Sequence, residues 1–282
     1  MNGKNVLHQL TSQSHSQMMS YIIETADNKI IVIDGGNACD CDYLFSNIQN
    51  IRKSAGFDDI HIDSWILTHA HDDHVDAFYH AFEHRLGEFS VGNIYYKFPL
   101  RELVEKHEPS ATHTVDRFNA LLPRFADKAH IINKGDVIKV GEATFTVLYS
   151  PDFSITHNFI NNTSLVIMAE IASDKILFLG DLGVEAGNKL LETDGNSLRA
   201  DFVQMAHHGQ NGVTREFYEA VSPKACLWDT PLWLWNNDAG KGYDTHIWQT
   251  VIVRGWMDEL GVKTHYVTKE NTTNRIMLPA YH

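Results

Sequence analysis

Cysteine is scarce in this chain. Only Cys39, Cys41 and Cys226 occur among its 282 residues. So small and odd a number excludes the dense disulfide framework of small secreted proteins. Cys39 and Cys41 are separated by a single residue, whereas zinc knuckles and redox pairs place two residues between their cysteines. We therefore expect free thiols in a reducing compartment.

Long apolar runs are absent as well. No stretch approaches the roughly 18 consecutive apolar residues of a membrane-spanning helix. Residues 1–8 lack the apolar core and the small-residue cleavage site of a secretory signal. These two absences predict a cytoplasmic protein with no membrane partner.

Basic residues are outnumbered by acidic ones. The 23 Lys and Arg residues face 36 Asp and Glu residues, which gives a formal charge of −13. No run of Lys or Arg forms a basic patch, and an acidic surface repels phosphate backbones. Nucleic acid is therefore a disfavoured partner, and a small-molecule substrate is favoured.

The pattern of apolar residues predicts an α/β protein. No Pro/Gly/Ser-rich tract divides the chain, and 43% of its residues are hydrophobic. Short apolar strands alternate with amphipathic helices in both halves. We predict strands over residues 20–23, 30–33, 62–67, 93–97, 144–149, 165–169, 175–179, 202–206, 224–228, 265–268 and 275–278, and helices over 43–54, 75–84, 115–125, 184–192, 214–221 and 246–260. We interpret residues 1–282 as one domain of two packed sheets with helices outside.

Histidine is in excess, and its densest cluster follows a buried strand. The chain has 17 histidines, and three of them lie in residues 69–74 directly after the predicted strand 62–67. His69, His71 and Asp73 alternate, so an extended segment directs them to one side, while His74 faces a neighbouring point. Histidine is the commonest side-chain metal ligand. This segment therefore predicts donors for two adjacent metal positions.

Three further segments carry candidate site residues. Asp181 follows an apolar strand, where a carboxylate is costly unless it binds something positive; it could also cap the next helix. Strand alternation through Val203 and Met205 favours His207 as a ligand, with His208 on the substrate or the backbone, although the reverse assignment stays open. Asp34 could support a metal-bound histidine from behind or simply form a turn.

These segments together resemble the metallo-β-lactamase superfamily. Its signature, His-x-His-x-Asp-His, is matched by His69, His71, Asp73 and His74. Residues 31–36, 177–181 and 203–209 resemble, in the expected order, the motifs of the supporting acid, the metal-bridging acid and the last ligand. The resemblance extends from about residue 20 to residue 277. It implies a four-layer αββα sandwich, two divalent metal ions and a metal-bridging hydroxide, with Asp73 and Asp181 as catalytic ligands.

One departure from the family pattern concerns a missing histidine. Many members place another histidine between the first motif and the bridging acid. Here the region reads Asn161-Asn162-Thr163-Ser164, which resembles the branch of DNA-uptake competence proteins and phosphorylcholine esterases. His157 could replace the missing ligand, but its register is poor. Without a replacement, one metal position should bind more weakly.

A tryptophan-rich segment follows the last motif. Residues 228–235 contain Trp228, Trp233 and Trp235, with Pro, Asn and Gly nearby. Such a segment could be core, or it could form a substrate wall by stacking or cation–π attraction. We predict the second role for Trp233 and Trp235. The single histidines His246 and His265 could also reach the site.

The resemblance implies a metal-dependent hydrolase of a phosphodiester or related ester. Nitrogen and oxygen donors without thiolate suit zinc, manganese or iron. The alternative is a non-catalytic or redox module that holds a metal pair. Flavodiiron proteins use this fold in that way, but they carry a flavin domain or partner, and no flavodoxin-like segment occurs here.

Overall fold

The computed structural model describes residues 3–281 and contains two seven-stranded sheets. The first sheet has the order β14-β1-β2-β3-β4-β5-β6. Its strands are β1 (Asn5–Gln9), β2 (Ser20–Glu24), β3 (Ile30–Asp34), β4 (His61–Ile66), β5 (Ser90–Tyr96), β6 (Ala129–Ile131) and β14 (Asn274–Leu278). Strands β3, β4, β5 and β6 are parallel, so their carboxyl ends meet at one edge.

The second sheet has the order β13-β12-β11-β10-β9-β8-β7. Its strands are β7 (Val137–Val140), β8 (Ala143–Tyr149), β9 (Val166–Ile171), β10 (Asp174–Phe178), β11 (Phe202–Gln204), β12 (Ala225–Trp228) and β13 (Thr264–Val267). Strands β10 to β13 are parallel. The carboxyl ends of β10 and β11 therefore lie side by side.

Helices cover the outer faces of both sheets. They are α1 (Cys41–Ser54), α2 (Asp72–His84), α3 (Arg101–His107), α4 (Thr112–Leu121), α5 (Val184–Asp194), α6 (Arg215–Val221), α7 (Leu232–Trp235) and α8 (Thr250–Glu259). Helices α1, α2 and α4 share a buried cluster with the first sheet, for example through Trp65 and Phe78. Helices α5, α6 and α8 share another with the second sheet, through Leu190 and Phe217.

A third buried cluster lies between the sheets and includes Ile33, Ile66 and Phe178. The layers are therefore helix, sheet, sheet and helix, which confirms the predicted αββα sandwich. Strands β3 and β4 carry apolar side chains on both faces. In a layered fold, parallel strands are covered on both sides, here by helices on one side and by the second sheet on the other. The prediction that residues 1–282 form one domain stays a prediction.

Several elements differ from the predictions. Strands β1, β6 and β7 and helix α3 fall in segments without a predicted element, and α2 begins at Asp72 rather than at residue 75. Strand β11 ends at Gln204, two residues before the predicted end. Within residues 3–281, no helix is long and apolar enough to cross a membrane.

Candidate metal centre

The histidine cluster lies where β4 leaves the sheet and α2 begins. His69 is fully buried in the connecting loop, and His71 is the N-cap of α2 with an extended backbone (φ −107°, ψ 151°). Asp73 and His74 consequently lie in the first helical turn. An acidic side chain is favourable there because the amino end of a helix carries partial positive charge. The short segment thus directs four donors to the edge between the two sheets.

The structure gathers six donors into two groups of three. The first group is His69, His71 and Asp181, and the second is Asp73, His74 and His208. In each group the donor atoms lie within 4.8 Å of one another. This spacing allows one cation to contact all three donors of a group.

Asp181 belongs to the first group and also lies next to the second. Its Oδ1 is 3.1 Å from Nε2 of His74, and its Oδ2 is 3.8 Å from Nε2 of His69 and 3.5 Å from Nε2 of His208. The carboxylate is only 1% exposed. Its two oxygens therefore face donors of both groups, as an anionic ligand shared by two cations must.

Gly180 sets the position of Asp181 after β10. Gly180 has a left-handed backbone (φ +54°), and a Cβ there would lie 3.0 Å from Oγ of Ser164. The same Oγ accepts a hydrogen bond from the backbone N–H of Asp181 at 3.0 Å. Gly183, not Asp181, is the N-cap of α5. The alternative that Asp181 caps this helix is therefore wrong.

His207 and His208 follow β11 in an irregular turn. Because β11 ends at Gln204, strand alternation does not extend to His207. Both histidines have left-handed backbones, with φ of 53° and 55°. His208 is fully buried, with its Nε2 3.1 Å from Oδ2 of Asp73, whereas His207 is partly exposed. The geometry thus puts His208, rather than the favoured His207, in the group with Asp73.

Asp34 holds His74 of this centre in place through a hydrogen bond. Its Oδ2 accepts a hydrogen bond from Nδ1 of His74 at 2.7 Å, and both side chains are fully buried. Thr68 donates to the same carboxylate from its backbone N–H at 2.7 Å and from Oγ1 at 2.6 Å. These bonds leave Nε2 of His74 as the nitrogen that faces Asp181.

Glu108 is a site residue that the sequence did not reveal. Its Oε1 accepts a hydrogen bond from Nε2 of His71 at 2.9 Å, and its Oε2 accepts one from the backbone N–H of Ile160 at 2.9 Å. Nδ1 of His71 then carries no proton and lies 3.3 Å from Nε2 of His69. Glu108 follows α3, which was not predicted, and no motif marks it.

The charges of the centre favour a cation. Burial lowers the pKa of His69 well below its ordinary value, and the nearby His74 adds to this effect. Burial also lowers the pKa of His74, but the carboxylates of Asp181 and Asp34 outweigh it and hold that pKa well above the ordinary value. Burial raises the pKa of Asp181, but the neighbouring histidines outweigh it and lower that pKa. The carboxylates of Asp181 and Asp34 therefore favour positive charge at the metal centre.

Comparison with known proteins identifies the family. The family model of the metallo-beta-lactamase superfamily matches residues 16–224, well over half of the chain. The chain belongs to the metallo-β-lactamase superfamily. The match includes all six clustered donors and ends before Trp228. The narrower resemblance to the competence-protein and phosphorylcholine esterase branch stays a prediction. No curated protein sequence is significantly similar to the chain.

Solved structures share the fold at low sequence identity. The metallo-β-lactamase fold protein YhfI from Bacillus subtilis is 12% identical with a TM-score of 0.57, and the match covers 96% of this chain and 100% of that one. CmlA, a diiron β-hydroxylase from Streptomyces venezuelae, is 14% identical with a TM-score of 0.55, over 99% of this chain and 55% of that one. Unliganded yeast PDE1 is 10% identical with a TM-score of 0.55, over 96% and 99%.

The superfamily binds divalent metals, often two, and the donors present fit such a pair. Nε2 of His74, Oδ1 of Asp181 and Nε2 of His208 are buried, and none makes a hydrogen bond. Leaving a buried polar atom without a partner costs about 1–3 kcal/mol. All three atoms belong to the two donor groups, so bound cations would supply their missing partners.

The remaining predicted residues lie at a distance from the two groups. The His157 side chain is 83% exposed and pairs with Glu185, so the prediction that it replaces the missing ligand has no geometric support. His265 accepts a hydrogen bond from Nε1 of Trp228 at 3.0 Å, and the ring centre of His246 lies 3.9 Å from that of Trp248. Neither belongs to a donor group among the described residues.

The two predicted substrate tryptophans have different surroundings. Trp233 donates a hydrogen bond from Nε1 to the backbone carbonyl of His15 at 3.0 Å. Trp235 packs edge-on against the buried Trp228, with the Arg254 guanidinium 4.1 Å from its ring centre. Trp235 therefore belongs to the packing of α7 and α8. Trp233 lies against the segment that precedes β2.

A cavity of about 920 Å³ adjoins the centre at His207. Apolar side chains on its walls come from α5, α8 and the turn before α6, namely Val184, Trp256 and Val213. The acidic Glu185 and Glu216 also line it, together with Arg215. The size is that of small-molecule sites, which are commonly between about 300 and 1,000 Å³.

Proposed function

We propose that this protein is a metal-dependent hydrolase of a small phosphodiester or a related ester. The observation that carries the proposal is the pair of neighbouring three-donor groups, of which the first includes Asp181. We assign His69, His71 and Asp181 to one metal position, and Asp73, His74 and His208 to the other, with Asp181 shared. Zinc, manganese and iron all suit these nitrogen and oxygen donors.

Bound divalent cations at this spacing would lower the pKa of water and polarise a phosphoryl or carbonyl oxygen. The chain's own contribution is to fix its donors. Asp34 holds the proton of His74 on Nδ1, and the backbone carbonyl of Asp229 does the same for His208 at 3.0 Å. Glu108 holds the proton of His71 on Nε2. Each histidine then offers its other nitrogen without rearrangement.

The cavity beside His207 supports a small organic substrate. Its apolar wall of Val184, Val213 and Trp256 suits an organic group of an ester. Arg215 is paired with Glu219 and Glu259, so its charge is already balanced. A cavity without free positive charge disfavours a polyanion such as nucleic acid.

A substrate screen with defined metals tests the proposal. The purified protein, stripped with chelator and reloaded with zinc, manganese or iron, should hydrolyse bis-p-nitrophenyl phosphate or a p-nitrophenyl carboxylic ester. Asp181→Asn should abolish turnover because it removes the shared anionic donor. His84→Ala is the matched control, because His84 is 62% exposed at the end of α2 and should leave turnover unchanged.

One result would favour the alternative of a redox or non-catalytic module. It is the absence of turnover with every metal and every ester, together with an iron pair that survives purification. Turnover that persists undiminished in Asp181→Asn would also contradict the proposal, because it would arise elsewhere or from a contaminant.

A further inference from the structure

The first donor group is one histidine short of the family pattern. His157, the nearest histidine in the expected stretch, points outward and pairs with Glu185. The residue buried there is Asn161, which is 3% exposed. Its Oδ1 is buried without a hydrogen-bond partner. The position therefore holds an unsatisfied polar group where a ligand is expected.

His207, which follows β11 of the same sheet, approaches this position. Its Nε2 lies 3.4 Å from Nδ2 of Asn161 and 3.9 Å from Oδ2 of Asp181. Its Nδ1 lies 3.3 Å from the backbone carbonyl of Asn211, which orients the ring. A histidine that donates from one nitrogen to a carbonyl keeps a lone pair on the other nitrogen, which is the arrangement typical of metal ligands. In His207 this lone pair faces the 3.4 Å contact with Nδ2 of Asn161.

The left-handed turn explains how the side chains of the adjacent residues His207 and His208 contact different groups. His207 (φ 53°, ψ 50°) and His208 (φ 55°, ψ 24°) both have positive φ. Each such residue costs about 1 kcal/mol or more, and such strain persists mainly at functional sites. The result is that Nε2 of His208 lies beside Asp73 and Nε2 of His207 lies beside Asn161. Both nitrogens approach Oδ2 of Asp181, at 3.5 Å for His208 and 3.9 Å for His207.

We propose that His207 supplies the nitrogen ligand that the first group lacks, so that the His207-His208 pair is divided between the two metal positions. His207 lies outside the set of donors within 4.8 Å of one another, so its ring must turn towards His69 when a cation binds. It has room to do so because it lines the cavity and is 19% exposed. This inference rests on the metal centre of the proposed function but not on its hydrolytic activity.

Cobalt spectroscopy of cysteine variants tests the proposal directly. A thiolate bound to Co²⁺ gives a near-ultraviolet charge-transfer band. We expect this band in Co²⁺-loaded His207→Cys and, as a positive control, in His208→Cys. His84→Cys and the unmodified chain, which already contains three free thiols, should lack it. A band in His208→Cys but none in His207→Cys would overturn the proposal.

Metal titration supplies a second readout that needs no turnover. We expect His207→Ala to reduce the affinity for one of the two metal ions by about 100-fold. Loss of a residue that only supports a metal ligand typically reduces affinity by about 10–100-fold. The double variant His69→Ala/His207→Ala should lose affinity for that same metal ion and keep its affinity for the other. Thermal unfolding in chelator checks that each variant folds, and His207→Gln replaces His207→Ala if it does not. Unchanged affinity at both equivalents in the folded variant would overturn the proposal.

Discussion

Glu108 and His71 are joined by a hydrogen bond of 2.9 Å although 37 positions separate them in the chain. Burial raises the pKa of Glu108, but the bonds from His71 and from the Ile160 N–H outweigh it and lower that pKa. The carboxylate therefore stays ionised and fixes the ring of His71. It also ties the donor to the loop that contains Asn161.

Removal of this carboxylate should weaken metal binding. We expect Glu108→Ala to reduce affinity at one metal position by about 10–100-fold, and Glu108→Gln to have a smaller effect because its amide oxygen still accepts a hydrogen bond. Metal titration measures both. Glu105→Gln, an exposed change on α3, is the control. Equal affinity in Glu108→Ala and the control would show that His71 needs no support.

Asp34 offers a second test on the opposite side of the centre. Its left-handed backbone (φ 55°) tolerates Asn well and other residues less well. We expect Asp34→Asn to fold but to lose about 10–100-fold in metal affinity, because its amide no longer provides two acceptors for Thr68 and His74. Calorimetric metal titration with circular dichroism separates the two effects. Wild-type metal affinity in this variant would show that metal binding does not depend on the Asp34 carboxylate.

Metal removal should lower thermal stability. Asp73 and Asp181 both approach Nε2 of His208, at 3.1 and 3.5 Å, and cations that bind only the folded state stabilise it. At a free metal concentration of about 1,000 times Kd the gain is about 4 kcal/mol. For a chain of this size we expect Tm to fall by roughly 10 °C in chelator. Differential scanning fluorimetry with metal re-addition measures this, and an unchanged Tm would argue against a folded-state metal site.

The two tryptophans of α7 should behave differently when replaced. Trp235 packs on Trp228 and Arg254, so Trp235→Ala should lower stability by about 2–3 kcal/mol, with Trp235→Phe less costly. Trp233 packs on Trp248 and the backbone of His15, so Trp233→Ala should keep stability and metal content. We expect it to raise KM. If KM is unchanged, Trp233 is not a substrate wall.

The sequence predicted the parts of the centre that one short segment encodes. His69, His71, Asp73 and His74 follow a single apolar strand, so local periodicity and one motif were sufficient to group them. The layers followed from alternating strands and helices. Strand β1 was missed because its pairing with β14 joins the two ends of the described chain, a contact that local patterns do not contain.

Long-range geometry explains the remaining differences. Alternation along β11 predicted the direction of His207, but β11 ends before it and two left-handed residues follow. Glu108 reaches His71 because α3 packs against the loop before α2, where Val104 and Ala70 share a buried cluster. Neither a backbone turn of this kind nor a side-chain contact across 37 positions leaves a periodic signal in the sequence.

Turnover measured against bound metal tests the central claim most directly. Metal-free protein would be titrated with zinc or manganese while hydrolysis of bis-p-nitrophenyl phosphate and metal content are followed together. We expect little turnover at one equivalent per chain, full turnover at two, and none in Asp181→Asn. The absence of turnover at two bound equivalents of any suitable metal, or full turnover at one, would contradict a two-metal hydrolase.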